Sequence, residues 1–284
     1  MGFFVKRTGC AGVLWSAHAD PHRSDYRRIE WHRCRHGQRI CAAWRSAYPR
    51  RPDRLDSLAS ELRQGGSEVL VVAGDVTRDG DLERATEQAL QTFGVLDVVV
   101  ANAGFGVQGL LAKLKLDDVR RQFETNVFGV LRTFYATHTA LKESKGRFVI
   151  IGSVSGFFCA PGTIPYSMSK FAVRALAEGL EYELARDGIS VTHIAPGFVE
   201  SEISLVDNQG VLHDTPPRPK APQFLFMKTP KAARQIVDAI IAREPLRIIT
   251  GHGKILVSAS RHAPRVLTGT LKLLSGRVAK LTPQ

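Results

Sequence analysis

The chain has 284 residues, 44% of them hydrophobic, and its formal net charge is +12 at pH 7. This length and composition suffice for one large α/β domain with its own core, and no run of about 18 apolar residues predicts a membrane-spanning helix. The four cysteines have no regular spacing, which argues against a disulfide framework and against a metal cluster, so a cytoplasmic location is expected.

The positive charge is concentrated at the start of the chain. Residues 1–54 have a net charge of +8, whereas the remaining 230 residues have only +4. A basic balance can indicate a nucleic-acid partner, but here it is a property of the first 50 residues, and we predict no such partner. The sequence therefore divides into an atypical basic head, residues 1–50, which we expect to be poorly ordered or mis-framed, and a domain spanning residues 51–284.

Helical and strand patterns alternate from residue 51 onward. Leucines at the i, i+3 and i+7 positions predict a first helix over residues 55–62, which ends at a glycine pair. Further strands are predicted within residues 67–76, 96–104, 146–156, 189–197 and 246–251, and further helices within residues 81–94, 116–141, 165–188 and 230–243. Because the strands are apolar throughout and helices separate them, they predict a doubly wound parallel sheet in a single α/β domain. Such sheets bind ligands at the carboxyl ends of their strands.

Two later segments depart from this alternation. Residues 201–228 lack periodicity and contain four prolines, which is typical of a functional loop, and we interpret them as a lid over a hydrophobic ketone or alcohol. The basic amphipathic tail, residues 265–281, fits contact with a membrane surface, but we favour a solvated or subunit-packing helix.

Tyr166 and Lys170 are four residues apart in a predicted helix, so their side chains share one face. A lysine ammonium beside a tyrosine favours the phenolate and lowers the pKa of the phenol, which would make the pair a usable proton donor and acceptor. The spacing alone also fits a surface ion and aromatic pair. Ser153 ends a predicted strand, where its hydroxyl can hold a substrate oxygen or simply form a turn.

Other polar motifs also follow predicted strands. Asp75 can accept a hydrogen bond from an adenine amino group, and the small residues of Asn102–Gly104 allow close approach of the backbone to a cofactor. Pro196–Gly197 ends the last strand of the central core. Asn126 lies inside a predicted helix, where asparagine is unfavourable; it is either a hydrogen-bonded helix kink or a polar link toward Lys170 through water.

Taken together, these motifs resemble the short-chain dehydrogenase/reductase family over residues 51–245, in the family's order and at about its spacings. The resemblance implies an oxidoreductase that uses NADP(H) or NAD(H) and no metal. It would interconvert a ketone and a secondary alcohol, and we expect its substrate to be apolar. The resemblance implies that Asn126 holds a relay water, that Ser153 orients the substrate oxygen and that Tyr166 is the general acid/base. Lys170 would lower the pKa of Tyr166 and bind the nicotinamide ribose. The resemblance also implies cofactor contacts by Arg51, Asp75, Val76, Asn102, Ala103, Gly104, Tyr166, Lys170, Pro196, Gly197 and Val199.

Cofactor choice and assembly also follow from the resemblance. Basic residues just after the second strand favour the 2′-phosphate of NADP(H), and Arg50 and Arg51 lie in that neighbourhood. We therefore favour NADP(H) over NAD(H), while a solvated charge cluster is the alternative interpretation of these arginines. The helices in residues 112–143 and 166–186 form subunit interfaces in the family, which implies a homodimer or homotetramer.

The family's glycine-rich phosphate loop is missing where it should begin, near Tyr26. A frame error over residues 24–49 would explain this, because the single tryptophan codon read one base later begins a glycine codon. Trp31 and Trp44 would then stand for two glycines thirteen residues apart, as the family's loop and following helix require. The alternative is a catalytically inactive, family-like binding or regulatory protein.

Overall fold

The computed structural model describes residues 2–6, 41–44, 59–60, 62–64, 66–211, 213–215 and 222–281. The predictions for Arg50 and Arg51, for most of the segment 24–49 and for the prolines between residues 216 and 221 lie outside the described residues.

Seven strands of the described chain form one sheet. They are β1 (Gly2–Lys6), β2 (Cys41–Trp44), β3 (Glu68–Val72), β4 (Val98–Ala101), β5 (Arg147–Ile151), β6 (Ser190–Ala195) and β7 (Leu246–Ile248). The spatial order is β3-β1-β2-β4-β5-β6-β7. All neighbours from β2 to β7 pair in parallel, and only β1 runs antiparallel to the two strands beside it. The predicted doubly wound α/β sheet is confirmed, and its first βα unit is the aberrant part.

The basic head contributes β1 and β2 to the middle of this sheet, which the sequence analysis did not predict. The two strands fill the space between β3 and β4. The backbone N–H and C=O groups along the facing edges of β3 and β4 need partners, and these two segments supply them.

Seven helices are described with both of their ends. They are α1 (Asp81–Phe93), α2 (Leu116–Phe123), α3 (Gly129–Ser144), α4 (Ile164–Glu183), α5 (Thr229–Ile241), α6 (Gly251–His262) and α7 (Pro264–Leu281). The single long helix predicted over residues 116–141 is instead two helices, α2 and α3, joined by a π-helical turn over Glu124–Phe128. In the part of the chain that the structure describes, no helix combines the length and apolar character of a membrane span.

Alternate residues of the buried strand β4 build the two halves of the core. Val99 and Ala101 pack into the cluster that contains residues of α1, α3 and α4. Val98 and Val100 pack on the other face, in the cluster that contains residues of α5. Because successive strand side chains point to opposite faces, helices cover both faces, and the carboxyl ends of the parallel strands remain as the edge where a ligand can bind.

Gly129 sets how closely α3 approaches the loop after β3. A Cβ atom at Gly129 would lie 2.7 Å from Cγ2 of Val76, a β-branched side chain that is itself buried. The helix therefore begins with a glycine although glycine is a poor helix former.

We expect Gly129→Ala to lower the free energy of unfolding by about 1–3 kcal/mol, because the added methyl group overpacks a tight contact. The matched control is Gly179→Ala in α4, where a Cβ would meet no atom within 4 Å; it should raise stability by about 0.5–1 kcal/mol. Chemical denaturation of both variants measures the difference, and equal stability of the two would contradict this account.

Candidate active site

The carboxyl edge of the sheet gathers the site residues that the sequence predicted. Asn102 directly follows β4, Ser153 lies two residues after β5, and Pro196 directly follows β6. Helix α4 brings Tyr166 and Lys170 to the same edge, next to these turns. Of the predicted site residues, only Arg51 lies outside the described part of the chain.

Lys170 is the buried charge of the site, with a side chain and backbone only 5% exposed. Its Nζ donates a hydrogen bond to the carbonyl oxygen of Ile151 at 2.9 Å, at the end of β5. Burial lowers the pKa of Lys170 to about 8, so the ammonium form still predominates at neutral pH. A Cβ at Gly104 would lie 3.7 Å from Nζ, which places the turn after β4 directly beside this ammonium.

Tyr166 is half-buried, and its ring centroid lies 5.7 Å from Nζ of Lys170. Burial raises the pKa of Tyr166, and a hydrogen bond with Ser153 offsets part of that rise. The net shift of this pKa is therefore upward because burial is the larger effect, and the expected lowering of the pKa by Lys170 stays a prediction. The protonated phenol, which can donate a proton, is therefore the form present at neutral pH.

Ser153 is both a turn residue and a partner of Tyr166. Its Oγ accepts a hydrogen bond from the backbone N–H of Ser155 at 3.1 Å, which caps the short helical turn that follows. The same Oγ lies 3.5 Å from the carbonyl oxygen of Pro196, which also accepts from the backbone N–H of Val154 at 2.9 Å. The interpretation of Ser153 as a turn residue is confirmed, and its role in holding a substrate oxygen stays a prediction.

Asn126 is fully buried in the π-helical turn and clamps two other segments. Its Nδ2 donates to the carbonyl oxygen of Phe105 and to Oγ of Ser169, both at 3.0 Å. Its Oδ1 accepts from the backbone N–H of Phe105 at 3.1 Å. These bonds tie the turn after β4 to α4, and the water-relay role of Asn126 stays a prediction. The sequence analysis missed Ser169, although this polar residue directly precedes Lys170.

Asp75 and Val76 lie beyond β3 at the same edge. Oδ1 of Asp75 accepts from the backbone N–H and from the hydroxyl of Thr77, both at 2.9 Å, and its own N–H donates to Asp81 at 2.8 Å. The carboxylate is thereby fixed in one orientation. The Val76 side chain is buried against α3, so a cofactor would meet Val76 through its backbone.

The segment Pro196–Val199 is fixed by two residues that the sequence analysis missed. A Cβ at Gly197 would lie 2.2 Å from Oγ1 of Thr250 and 2.4 Å from Nε2 of His252. The backbone N–H of Phe198 donates to Nε2 of His252 at 3.1 Å, and burial lowers the pKa of His252, which favours the neutral ring that can accept. Their position just after the last strand, at the carboxyl edge, is the signal that would have found them.

His193, in the middle of β6, is another residue that the sequence analysis missed. A Cβ at Gly152 would lie 2.0 Å from its Nε2, so the imidazole fills the space beside the residue preceding Ser153. Its ring stacks on Phe157 with centroids 6.1 Å apart. Burial, with the charges of Lys170 and Arg174 adding to it, lowers the pKa of His193 to about 3. The ring therefore stays neutral beside the Lys170 ammonium.

The described part of residues 201–228 covers the turn after β4. Asn208 accepts from the backbone N–H of Gln108 at 2.9 Å and donates to its carbonyl oxygen at 2.8 Å. Val206 packs against Phe105 and Val107. The next anchor is Met227, which pairs with Val199 in a parallel bridge. The segment is thus attached to the site at several points, and its role as a substrate lid stays a prediction.

The four phenylalanines near the motifs differ in their surroundings. Phe105 and Phe157 are buried in core clusters, so these two are core residues. Phe158 is half-buried. Phe198 is exposed, and its ring centroid lies 5.5 Å from that of Phe226. Phe198 and Phe226 therefore form the apolar rim of the edge.

Comparison with known proteins agrees with this geometry. The family model described as short chain dehydrogenase matches residues 43–210. An uncharacterized oxidoreductase of Staphylococcus aureus (strain N315) is 34% identical over 181 residues, which cover 63% of this chain and 78% of that protein. The chain therefore belongs to the short chain dehydrogenase family, and it is an oxidoreductase of that family.

Two solved structures are similar to this one. An alcohol dehydrogenase from the archaeon Thermococcus sibiricus, complexed with 5-hydroxy-NADP, is 26% identical with a TM-score of 0.61, covering 73% of this chain and 84% of that protein. A short-chain dehydrogenase from Streptomyces avermitilis has a TM-score of 0.64 at 22% identity, covering 82% of this chain and 87% of that protein. The second likeness concerns the fold alone.

The residues at the carboxyl edge fit a nicotinamide dinucleotide. At Gly104 a Cβ would lie 3.1 Å from Oδ1 of Asn126, and at Gly197 it would lie 2.2 Å from Oγ1 of Thr250, so these glycines let polar side chains pack directly against two strand-end turns. The Lys170 ammonium has three N–H donors, and Ile151 occupies one of them. The segment in which the sequence expects the pyrophosphate loop lies outside the described residues.

The neutral His193 predicts an acid-sensitive core. Below about pH 6.5 the unfolded chain binds a proton at this residue that the folded chain does not, down to the folded pKa of about 3. The free energy of unfolding should therefore fall as pH falls through this window, by up to about 1.4 kcal/mol per pH unit from this group.

We expect His193→Gln to flatten this slope, measured by chemical denaturation at several pH values between about 6 and 4.5. The control is His262→Gln, since His262 is exposed on α6 and this variant should keep the slope of the unmodified protein. Each slope is compared within one variant, so an overall change in stability does not obscure it. An unchanged slope in His193→Gln would refute the buried neutral ring.

Proposed function

We propose that this protein is a reductase or dehydrogenase that interconverts a ketone and a secondary alcohol with NADP(H). The observation that carries the proposal is the arrangement of Ser153, Tyr166 and Lys170 at the carboxyl edge. A hydroxyl, a protonated phenol and a buried ammonium lie on adjoining turns there. Together they supply a hydrogen bond, a proton and a positive charge to one substrate oxygen.

The proposed mechanism assigns one task to each side chain. When bound, the cofactor supplies the hydride to the carbonyl carbon or accepts it from the alcohol. Ser153 holds the substrate oxygen, and Tyr166 donates its proton to that oxygen in reduction and takes it back in oxidation. Lys170 stabilises the phenolate left behind and would bind the nicotinamide ribose, while Asn126 would hold a relay water.

The proposed cofactor contacts extend along the same edge. Asp75 and Val76 would flank the adenine, Asn102 to Gly104 the adjoining ribose, and Pro196 to Val199 the nicotinamide. NADP(H) is favoured over NAD(H) because of the arginines at positions 50 and 51, and because the similar archaeal alcohol dehydrogenase was solved with 5-hydroxy-NADP.

The substrate is proposed to be an apolar carbonyl compound or alcohol. Phe198 and Phe226 present aromatic surface at the rim of the site, and the segment 201–228 would close over it. We further propose a cytoplasmic homodimer or homotetramer without a nucleic-acid partner. The exposed aromatic side chains of Tyr135 on α3 and Phe171 on α4 support subunit contacts through these helices.

One observation favours a second candidate function. The sequence has no glycine-rich loop in its first 50 residues, and a protein that cannot hold the pyrophosphate would act as an inactive binding or regulatory protein. The proposed frame error over residues 24–49 makes the opposite prediction for the intact gene. Resequencing the coding DNA decides the frame: the idea fails if no pair of single-base insertions or deletions restores the loop.

Tyr166→Phe should lower turnover by roughly 10²–10⁴-fold, because the ring stays and only the acid/base group is lost. Affinity for NADPH should stay nearly unchanged. Turnover is followed by NADPH absorbance with a panel of ketones, on the frame-restored protein if the present chain binds no cofactor. Tyr182→Phe is the control, since Tyr182 is exposed on the far end of α4 and should retain activity. Full activity in Tyr166→Phe would refute the assigned role.

Fluorescence titration with NADPH and NADH tests the cofactor proposal separately. We expect binding of NADPH in the micromolar range, tighter than that of NADH, because arginine can bind the 2′-phosphate bidentately. Tighter binding of NADH would show that the cofactor choice is wrong. Absence of binding by this chain, with binding by the frame-restored protein, would favour the inactive alternative for the present polypeptide.

A further inference from the structure

Within residues 55–284, the net positive charge comes from the last two helices. Residues 55–250 contain 21 Lys and Arg against 23 Asp and Glu, a net charge of −2, whereas residues 251–284 contain six Lys and Arg and no acidic residue. A body of slightly negative charge thus carries one strongly basic end, formed by α6 and α7.

Both helices expose basic and apolar side chains together. On α6, Lys254, Ile255, Arg261 and His262 are exposed, and the pairs Lys254/Arg261 and Ile255/His262 each have the i, i+7 spacing of one helix face. Ile255 is 71% exposed. Exposed isoleucines are ordinary when single, but this one is surrounded on its own face by cationic side chains.

Helix α7 continues the same combination. Arg265, Val266, Lys272 and Leu273 are exposed, and the apolar Val266 and Leu273 are 69% and 84% exposed at i, i+7 spacing. Leu267, one residue from Val266, is buried. The helix therefore packs through one stripe and presents its basic and apolar residues elsewhere.

The opposite side of α6 holds it firmly on the domain. Val257 packs in a cluster with Val154, Phe157 and Ala195. Since Val257 is two residues from Ile255, the two side chains point about 200° apart around the helix. The exposed face is thus oriented by the core and is not free to turn inward.

We propose that α6 and α7 bind the surface of a membrane that contains anionic lipid. Lys and Arg are attracted to anionic headgroups, each contributing near the surface, while apolar side chains between them enter the headgroup boundary. Nucleic acid would pair with the cations and leave Ile255, Val266 and Leu273 in water. A second copy of the same face would place the exposed Lys254, Arg261, Arg265 and Lys272 against the same four cations.

This surface lies beside the candidate active site. The first turn of α6 contacts the segment Pro196–Val199, because Nε2 of His252 accepts a hydrogen bond from the backbone N–H of Phe198. The guanidinium of Arg261 lies 5.5 Å from the ring centroid of Phe157, in the turn after Ser153. If the proposed apolar substrate is correct, membrane docking would hold the apolar rim of the site near the lipid bilayer, into which apolar compounds partition. The docking itself does not depend on that substrate.

Co-sedimentation of the full chain with vesicles tests the proposal. We expect binding to vesicles of phosphatidylcholine with phosphatidylglycerol, and at least about tenfold weaker binding to phosphatidylcholine alone. The double variant Lys254→Glu, Arg265→Glu should weaken binding to the anionic vesicles at least about tenfold. The control is Lys231→Glu, Arg234→Glu on α5, which makes the same charge change at exposed positions and should bind as the unmodified protein does.

A second pair of variants tests the apolar contribution. Ile255→Ser with Val266→Ser should weaken vesicle binding several-fold and leave its salt dependence in place, whereas Ile241→Ser, at an exposed position of α5, should not. Circular dichroism confirms that each variant is folded. Because the head is also basic, these variants, rather than salt dependence, assign the binding to α6 and α7.

Three results would overturn the proposal. The first is equal binding to anionic and neutral vesicles, and the second is an equal loss in the α5 control and the α6–α7 variants. The third is unchanged vesicle binding by the α6–α7 variants, together with either a loss of their binding to duplex DNA or a change of their oligomer size in sedimentation velocity. Absence of NADPH binding in both the present chain and the frame-restored protein would refute the proposed function and leave the result with vesicles unaffected.

Discussion

The buried ammonium of Lys170 is the constraint around which the candidate site is arranged. Removing an ammonium from water is costly unless it is hydrogen-bonded, and the Ile151 carbonyl at the end of β5 provides the bond. That bond fixes α4 against the sheet at one register. Tyr166 lies one helical turn earlier on the same face, so the same contact positions the phenol beside Ser153. The relative positions of Tyr166, Ser153 and Lys170 therefore follow from the hydrogen bond that stabilises one buried charge.

The groups around this charge are neutral or already paired. His193 lies beneath Gly152 and stays uncharged, so it adds bulk beside Ser153 without repelling Lys170. Asn126 uses both amide hydrogens and its oxygen to hold Phe105 and Ser169. The absence of charge on His193 and Asn126 favours the charged form of Lys170, since a second cation in the same low-dielectric site would lower the fraction of Lys170 that is protonated. All three hydrogen bonds are made by the side chain of Asn126, which lies in the π-helical turn.

The sequence predicted what depends on local pattern and missed what depends on distant partners. Apolar runs and helical periodicity located β3 to β7 and α1 to α5, and six motifs in order located the edge where they meet. The insertion of β1 and β2 between β3 and β4 is a pairing of remote segments, which no local pattern specifies. The sequence allowed a hydrogen-bonded kink at Asn126 but not the π-helical turn itself, because the partners of Asn126 lie 21 and 43 positions away. The direction of the Tyr166 pKa shift depends on burial, which spacing does not reveal.

Positive charge therefore has two distinct physical roles in this domain. Lys170 is one cation held out of water, where a single charge acts strongly on the group beside it. The described cations of α6 and α7 (Lys254, Arg261, Arg265 and Lys272) are exposed, where screening makes each interaction weak and only their sum over a surface matters. His252 links the two regions, since it begins α6 and accepts the backbone N–H of Phe198 at the site. A surface that orients α6 would thereby also orient Phe198, which with Phe226 forms the apolar rim of the candidate site.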